Sequence, residues 1–201
     1  MRIHAAKRVM SLKVVYYGPG LSGKTTNLTC LHHKFGAAQR GALVQLDTET
    51  ERTLFFDYFP VVIGKIGGFR VKVDFFTVPG QSFYSATRRV VLDGADGVVF
   101  VADSSERREE ANLQSRQDMV DTLKEMGRPL ESLPHVYQWN KQDLKDKTPI
   151  RALQKMLNPE GAPAIPAVAA TGEGVLETQS EVLKAVVAAV RTEMAAGVRS
   201  A

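Results

Sequence analysis

A glycine-rich segment that ends in lysine and threonine is the pattern in this chain best suited to chemistry. Residues 18–25 read GPGLSGKT, which matches the phosphate-loop pattern G-x-x-x-x-G-K-[ST]. Glycines let backbone amides face phosphate oxygens, and the N-terminus of a following helix adds positive potential. Lys24 could reach the β- and γ-phosphates of a nucleotide, and the Thr25 hydroxyl could bind Mg2+. The candidate phosphate-binding residues are Gly18, Gly20, Leu21, Ser22, Gly23, Lys24, Thr25 and Thr26.

A second polar motif, NKQD at residues 140–143, directly follows an apolar run. It resembles the N-K-x-D motif of the Ras-like GTPases, which lies at the same place in their fold. The Asp143 carboxylate could accept hydrogen bonds from N1–H and the exocyclic amine of guanine, whereas adenine offers no such donor pair. Asn140 is expected to tie this loop to the phosphate loop, and the stem of Lys141 to cover the base. The motif opposes the alternative of an ATP-dependent kinase or ATPase.

A third segment, VAAT at residues 168–171, weakly resembles the Ser-Ala-Lys turn of Ras-like proteins. In those proteins the alanine amide contacts the guanine oxygen, and Ala169 matches that alanine. Val168 and Ala170 replace the serine and the lysine. Because the contact uses backbone, Ala169 and Ala170 remain candidate base-binding residues.

The elements that must position these motifs alternate along the chain. Apolar runs predict strands at residues 12–17, 60–66, 69–78, 97–102, 135–139 and 165–169, with a further short strand at 43–46. Helical spacing predicts helices at residues 25–34, 107–125, 149–157 and 175–194. This alternation favours an α/β domain with a mostly parallel sheet and helices on both faces. The fold expected is that of a Ras-like P-loop GTPase with a six-stranded central sheet.

The size and composition of the chain suit one globular domain. The 201 residues are 44% hydrophobic and 24% charged, which is a globular rather than a disordered balance. We expect an N-terminal extension or short extra strand at 1–11, a GTPase domain at 12–194 and a tail at 195–201. The net charge of +4 is mild and diffuse, which argues for solubility charge and against a nucleic-acid partner.

Cysteine usage and the absence of targeting signals indicate the cell compartment. Cys30 is the single cysteine, so no disulfide can form within the chain, as in a reducing compartment. There is no apolar run of membrane-spanning length, no signal-type start and no lipidation motif. We therefore expect a cytoplasmic protein without integral membrane association.

Three longer stretches resemble one family more narrowly. They are VVYYGPGLSGKTTNL at 14–28, TETERTLFFDYFP at 48–60, and FFTVPGQSFYSATRRVVLDGADGVVFVADS at 75–104. They are similar to the bacterial MglA-type small GTPases of cell polarity and gliding motility, and the Ras-like resemblance spans residues 12–194. The resemblance implies GTP and GDP as ligands, Mg2+ as cofactor, and recruitment to a cell pole.

The segment TVPGQ at 77–81 lies where most Ras-like proteins have D-x-x-G-Q. Gly80 could bring its amide to a γ-phosphate, and Gln81 could orient the attacking water. Thr77 replaces the aspartate that usually holds Mg2+ through water. The resemblance implies that MglA-type proteins share this replacement. The second carboxylate of the metal site is therefore unassigned, with Asp57 and Asp47 as candidates.

Arg52 and Thr53 lie in the expected first switch. Thr53 resembles the switch threonine that joins Mg2+ and the γ-phosphate, so Thr25 and Thr53 are the candidate metal ligands. Arg52 matches an arginine that MglA-type proteins use as their own finger, and its planar cation suits charge developing on phosphoryl oxygens. The alternative for Arg52 is a solvated charge beside Glu49 and Glu51.

Apolar residues at 54–59 and the segment 82–89 could form a partner surface that depends on the nucleotide state. The alternative is that the aromatics pack under the sheet and that Tyr84 and Arg88 belong to an ordinary amphipathic helix. The resemblance implies a roadblock-domain GTPase-activating partner of the MglB type, homodimeric, and downstream polarity or motility effectors. Two functions remain: a slow GTPase stimulated by that partner, or a GTP-dependent scaffold with negligible hydrolysis.

Overall fold

Runs of valine, phenylalanine and tyrosine become the strands of one sheet, with helices on both faces. A computed structural model describes residues 1–46, 56–79 and 85–199. The strands are β1 (Arg2–His4), β2 (Val9–Tyr17), β3 (Val44–Leu46), β4 (Phe56–Ile66), β5 (Phe69–Thr77), β6 (Gly97–Asp103), β7 (His135–Asn140) and β8 (Ala164–Pro166). The helices are α1 (Lys24–Lys34), α2 (Ser85–Leu92), α3 (Glu109–Glu125), α4 (Ile150–Leu157) and α5 (Val175–Arg199).

The strand order confirms the α/β class expected from the sequence. In the described residues the order is β3-β4-β5-β2-β6-β7-β8, and β2 lies parallel to both β5 and β6. Strands β6, β7 and β8 continue in parallel, while β4 runs antiparallel to β5. Two short antiparallel strands add to these six, β3 beside β4 and β1 beside the start of β2. This is the Ras-like arrangement, and it gathers the loops after β2, β6 and β7 at one edge.

The central strand β2 is buried on both faces because parallel strands have helices above and below. Leu12, Val14 and Tyr16 pack into the cluster shared with α1 and α5. Val15 and Tyr17 point to the other face, where α2, α3 and α4 cover the sheet. The core therefore fixes β2 on both sides, and the loop that follows it starts from a rigid position.

Some element boundaries differ from the sequence-based expectation. Strand β4 begins at Phe56, and the hairpin to β5 turns at Gly67 and Gly68, which have φ of +55° and +82°. Strand β8 ends at Pro166 and not near 169, because Val168 instead pairs with Glu173 across a tight turn. Helix α5 continues to Arg199, five residues past the expected end at 194. No helix among the described residues combines the length and apolarity that a bilayer crossing requires.

Candidate nucleotide-binding site

The loop between β2 and α1 is shaped by two glycines that no other residue could replace without strain. Gly18 has φ of +145°, and a Cβ there would lie 2.2 Å from the carbonyl oxygen of Val101. Gly23 has φ of +98°, and a Cβ there would lie 2.3 Å from Asn140 Nδ2. The phosphate loop thus packs against the end of β6 and against the NKQD motif, which explains its glycine spacing.

Leu21 is the exposed side chain at the crest of this loop. Its φ is +65°, in the left-handed region, and its side chain is 86% exposed. A left-handed conformation costs a residue other than glycine about 1–2 kcal/mol. The neighbouring Ser22 is fully buried, so the loop alternates between an outward leucine and an inward serine.

Lys24 begins α1 and is held inside the loop. Its Nζ donates hydrogen bonds to the carbonyl oxygens of Gly18 at 2.9 Å and Pro19 at 2.7 Å. Burial lowers the pKa of Lys24 to about 7, and the nearby Asp57 carboxylate opposes this shift. A bound phosphate would favour the protonated form, so this position fits a phosphate-binding lysine.

Three oxygen-bearing side chains meet beside Lys24. Asp57 Oδ2 accepts hydrogen bonds from Thr25 Oγ1 at 2.6 Å and from Thr77 Oγ1 at 2.9 Å. The Asp57 backbone amide donates to Thr77 Oγ1 at 2.8 Å, which fixes the two strands at this point. Of the two carboxylates that the sequence left open, Asp57 on β4 is the one that the described residues place beside Thr25. A carboxylate beside hydroxyls is an oxygen donor set that fits Mg2+ together with phosphate oxygens.

Asn140 joins the NKQD motif to the phosphate loop, as expected, and it also contacts the turn after β8. Its Nδ2 donates to the carbonyl oxygen of Ser22 at 2.7 Å. Its Oδ1 accepts the backbone N–H of Ala169 at 2.9 Å. Asn140 is almost fully buried, so both bonds are shielded from water.

Asp143 and Ala170 face outward at the same edge. The Asp143 side chain is exposed, and within the described ranges no hydrogen bond to its carboxylate is formed. Because Ala169 uses its amide on Asn140, the amide left for a base oxygen at this turn is that of Ala170. If a guanine base binds here, the carboxylate and this amide would supply an acceptor and a donor for its edge.

A charged cluster that the sequence did not reveal supports the base motif. Asp103 Oδ2 accepts a hydrogen bond from Lys141 Nζ at 2.7 Å, while Oδ1 accepts the Ser105 N–H at 3.1 Å. Asp103 thus holds Lys141 in place as well as capping the turn. Arg108 lies 3.7 Å from the same carboxylate and donates to the carbonyl oxygen of Gly20 at 2.6 Å. Nothing in the sequence distinguishes Arg108 from its neighbour Arg107, so only the fold identifies it.

The catalytic and switch candidates lie outside the described residues. These are Arg52, Thr53, Gly80 and Gln81, together with Asp47, the other carboxylate candidate.

The structure describes parts of the two segments, 54–59 and 82–89, that could form a partner surface. Phe59 is fully buried and stacks on Phe75 with ring centroids 5.3 Å apart, so it belongs to the core. Arg88 is buried on α2 and pairs with Asp118 of α3 at 3.2 Å, so its guanidinium is not an exposed contact. Tyr84 and residues 54–55 lie outside the described ranges.

Trp139 fills the core, as its place in a strand predicts.

The sheet order, the glycine-shaped loop and the Asn140 bridge define a small GTPase of Ras-like fold. No protein-family model matches the chain. The chain is 47% identical over 195 residues to "Mutual gliding-motility protein MglA" of Myxococcus xanthus (strain DK1622). The aligned region covers 97% of this chain and 98% of that protein. This chain therefore belongs to the MglA family of small GTPases.

Proposed function

We propose that this protein binds GTP and GDP with Mg2+, hydrolyses GTP, and changes conformation between the two states to control cell polarity or motility. The observation that carries the proposal is the Asn140 bridge. One buried side chain connects the phosphate loop at Ser22 with the base turn at Ala169. A pocket built this way recognises a phosphate chain and a purine base at the same time.

The metal site would use Thr25 and Asp57 from the described residues, with Thr53 added from the first switch. When bound, Mg2+ would neutralise charge on the β- and γ-phosphates. Asp57 stands in for the aspartate that Thr77 replaces, since Thr77 Oγ1 bonds to the Asp57 carboxylate. Thr77, on the neighbouring strand β5, would orient the Asp57 carboxylate through this hydrogen bond.

Hydrolysis would depend on Gln81 and Arg52. Gln81 orients water for attack on the γ-phosphate, and Arg52 stabilises charge on the transferred phosphoryl group. The intrinsic rate is expected to be slow, on the order of 10^-4 to 10^-3 per second, as for Ras-type chemistry without a supplied arginine.

The biological setting is proposed from the relative, whose name states gliding motility. We place this chain in the same process, with a homodimeric roadblock-domain protein of the MglB type as its GTPase-activating partner. The partner would bind the GTP state and bring Arg52 and Gln81 into position, so stimulation would come from ordering residues already in the chain.

The test is to identify the nucleotide released from purified, denatured protein and then to measure phosphate release with and without the partner. Guanine nucleotide and partner-stimulated turnover are expected. Adenine nucleotide would contradict the proposal. Guanine nucleotide with no turnover in either condition would support the scaffold alternative, which the threonine at position 77 keeps open.

A further inference from the structure

Below the Asn140 bridge lies a second set of polar contacts. Asn27 on α1, Gln138 on β7 and Thr178 on α5 are all fully buried. Gln138 and Asn140 are two positions apart on one strand, so their side chains point to the same face of the sheet. Both therefore face the layer formed by α1 and α5.

The three side chains hydrogen-bond to one another and to two backbone carbonyl oxygens. Asn27 Nδ2 donates to Gln138 Oε1 at 2.8 Å, and Gln138 Nε2 donates back to Asn27 Oδ1 at 2.9 Å. Gln138 Nε2 also donates to Thr178 Oγ1 at 2.9 Å. At the two ends of the chain of bonds, Asn27 Nδ2 donates to the Gly23 carbonyl at 2.9 Å and Thr178 Oγ1 to the Gly174 carbonyl at 2.7 Å.

These end points belong to the segments that bind nucleotide in the proposed function. Gly23 closes the phosphate loop and precedes α1, while Gly174 closes the base turn and precedes α5. Gly174 is itself confined, because a Cβ there would lie 2.2 Å from the Pro166 carbonyl oxygen. The network thus connects the first turns of two helices through the strand that carries the NKQD motif.

A buried polar network is an unusual choice for this position if stability is its only role. Apolar residues of similar volume in place of a buried polar or charged group are often neutral or stabilising, whereas a half-satisfied network is costly. A network with fixed hydrogen-bond directions, however, permits one relative position of α1, β7 and α5. It therefore fixes the spacing between the phosphate loop and the base turn.

We propose that Asn27, Gln138 and Thr178 are positioning residues that hold the phosphate loop and the base turn in register and so slow nucleotide release. The inference rests on the proposed guanine-nucleotide function. Since none of the three faces the base edge, the network affects how long a nucleotide stays bound and not which base is chosen.

The test compares the dissociation of fluorescent GDP and of a fluorescent non-hydrolysable GTP analogue from Thr178→Val and Thr178→Ser. Valine keeps the volume and loses the hydroxyl, whereas serine keeps the hydroxyl. We expect Thr178→Val to release both nucleotides about tenfold faster, in line with loss of buried hydrogen bonds. Thr178→Ser should stay within about twofold of the unchanged protein, because its hydroxyl can make the same bonds. Unchanged release from Thr178→Val would overturn the proposal.

A triple variant separates positioning from stability. Asn27→Leu, Gln138→Leu and Thr178→Val together remove all the polar groups, so no unsatisfied donor remains. We expect the midpoint of thermal unfolding to exceed that of Gln138→Leu alone, while nucleotide release stays fast and GDP remains preferred over XDP. If release returns to the unchanged rate as stability recovers, the network is structural only. If the unchanged protein binds no guanine nucleotide, the proposed function is wrong. Thr178→Val and Thr178→Ser then have no bound nucleotide to release, so the positioning role is contradicted as well.

Discussion

Asp57 lies on β4, yet its carboxylate completes a cluster with hydroxyls from α1 and β5. The β4–β5 register pairs Tyr58 with Phe76, which places Asp57 beside Thr77 at the end of the hairpin. In the proposed function, Asp57 takes the role of the aspartate that Thr77 replaces. Its burial and its two short hydrogen bonds hold it toward Thr25.

Asp57→Asn should therefore weaken the dependence of GTP binding on Mg2+. An amide supplies a neutral oxygen in place of a charged one, and hard divalent cations prefer carboxylates. We expect the Mg2+ concentration for half-maximal stabilisation of bound GTP to rise by about tenfold or more. Titration of Mg2+ against nucleotide release measures this. Asp74→Asn, on the neighbouring strand β5, is the matched control and should behave like the unchanged protein.

Lys24 gives a prediction about pH. Burial lowers the pKa of Lys24 to about 7, against an ordinary value of 10.5. Between these values the unfolded chain binds more protons, so this residue makes the nucleotide-free protein more stable as pH rises. Bound phosphate favours the protonated lysine, so nucleotide binding should take up protons above pH of about 7. Calorimetry of GDP binding in buffers of different ionisation enthalpy should show greater uptake at about pH 9 than at about pH 7. Equal proton uptake at the two pH values would contradict the role of Lys24 as the phosphate-binding lysine.

At the scale of elements, the phosphate loop is positioned by its neighbours as much as by its own sequence. Gly23→Ala would place a methyl group on Asn140 Nδ2 and require an unfavourable φ. We expect nucleotide affinity to fall by about tenfold or more, because the Asn140 bridge must shift. Gly94→Ala is the control, since Gly94 has φ of +66° with open space around it. It should cost about 1–2 kcal/mol of stability and leave nucleotide affinity unchanged. Equal loss of affinity in both variants would show that backbone strain alone is responsible.

The parts of the site that the sequence predicts are the ones encoded locally. The phosphate loop and NKQD each place their functional atoms within a few residues, and the flanking apolar runs set their strands. The sequence leaves Asp57 as one of two candidate carboxylates, because the strand register that places Asp57 beside Thr77 is a property of the sheet. The network of Gln138 with Asn27 and Thr178 has no sequence signal, since its members are 111 and 40 residues from Gln138.

At the scale of the whole molecule, a nucleotide-dependent conformational switch predicts a partner that binds one nucleotide state more tightly than the other. A twofold-symmetric roadblock partner should bind the protein loaded with a GTP analogue at least about tenfold more tightly than the GDP-loaded protein, a difference of about 1.4 kcal/mol. Pull-down with each loaded form measures this. Equal binding of both forms would exclude a nucleotide-dependent switch while leaving nucleotide binding intact.

Stimulated hydrolysis should depend on residues of this chain. Gln81→Leu should abolish most partner-stimulated turnover with GTP binding retained, because water positioning is lost. Arg52→Ala should lower turnover without weakening binding, as expected for contacts made in the transition state. Gln114→Leu, which changes an exposed glutamine on α3, is the control. Unchanged stimulated turnover in Gln81→Leu would place water positioning elsewhere.

Base selection is the central claim, and a displacement titration tests it most directly. Fluorescent GDP bound to the unchanged protein and to Asp143→Asn is displaced by GDP, ADP and XDP in parallel. The account predicts that GDP displaces far better than ADP from the unchanged protein. It also predicts that Asp143→Asn shifts preference from GDP toward XDP, because the donor and acceptor pattern is inverted. Equal displacement by ADP and GDP, or unaltered GDP affinity in Asp143→Asn, would contradict the guanine site.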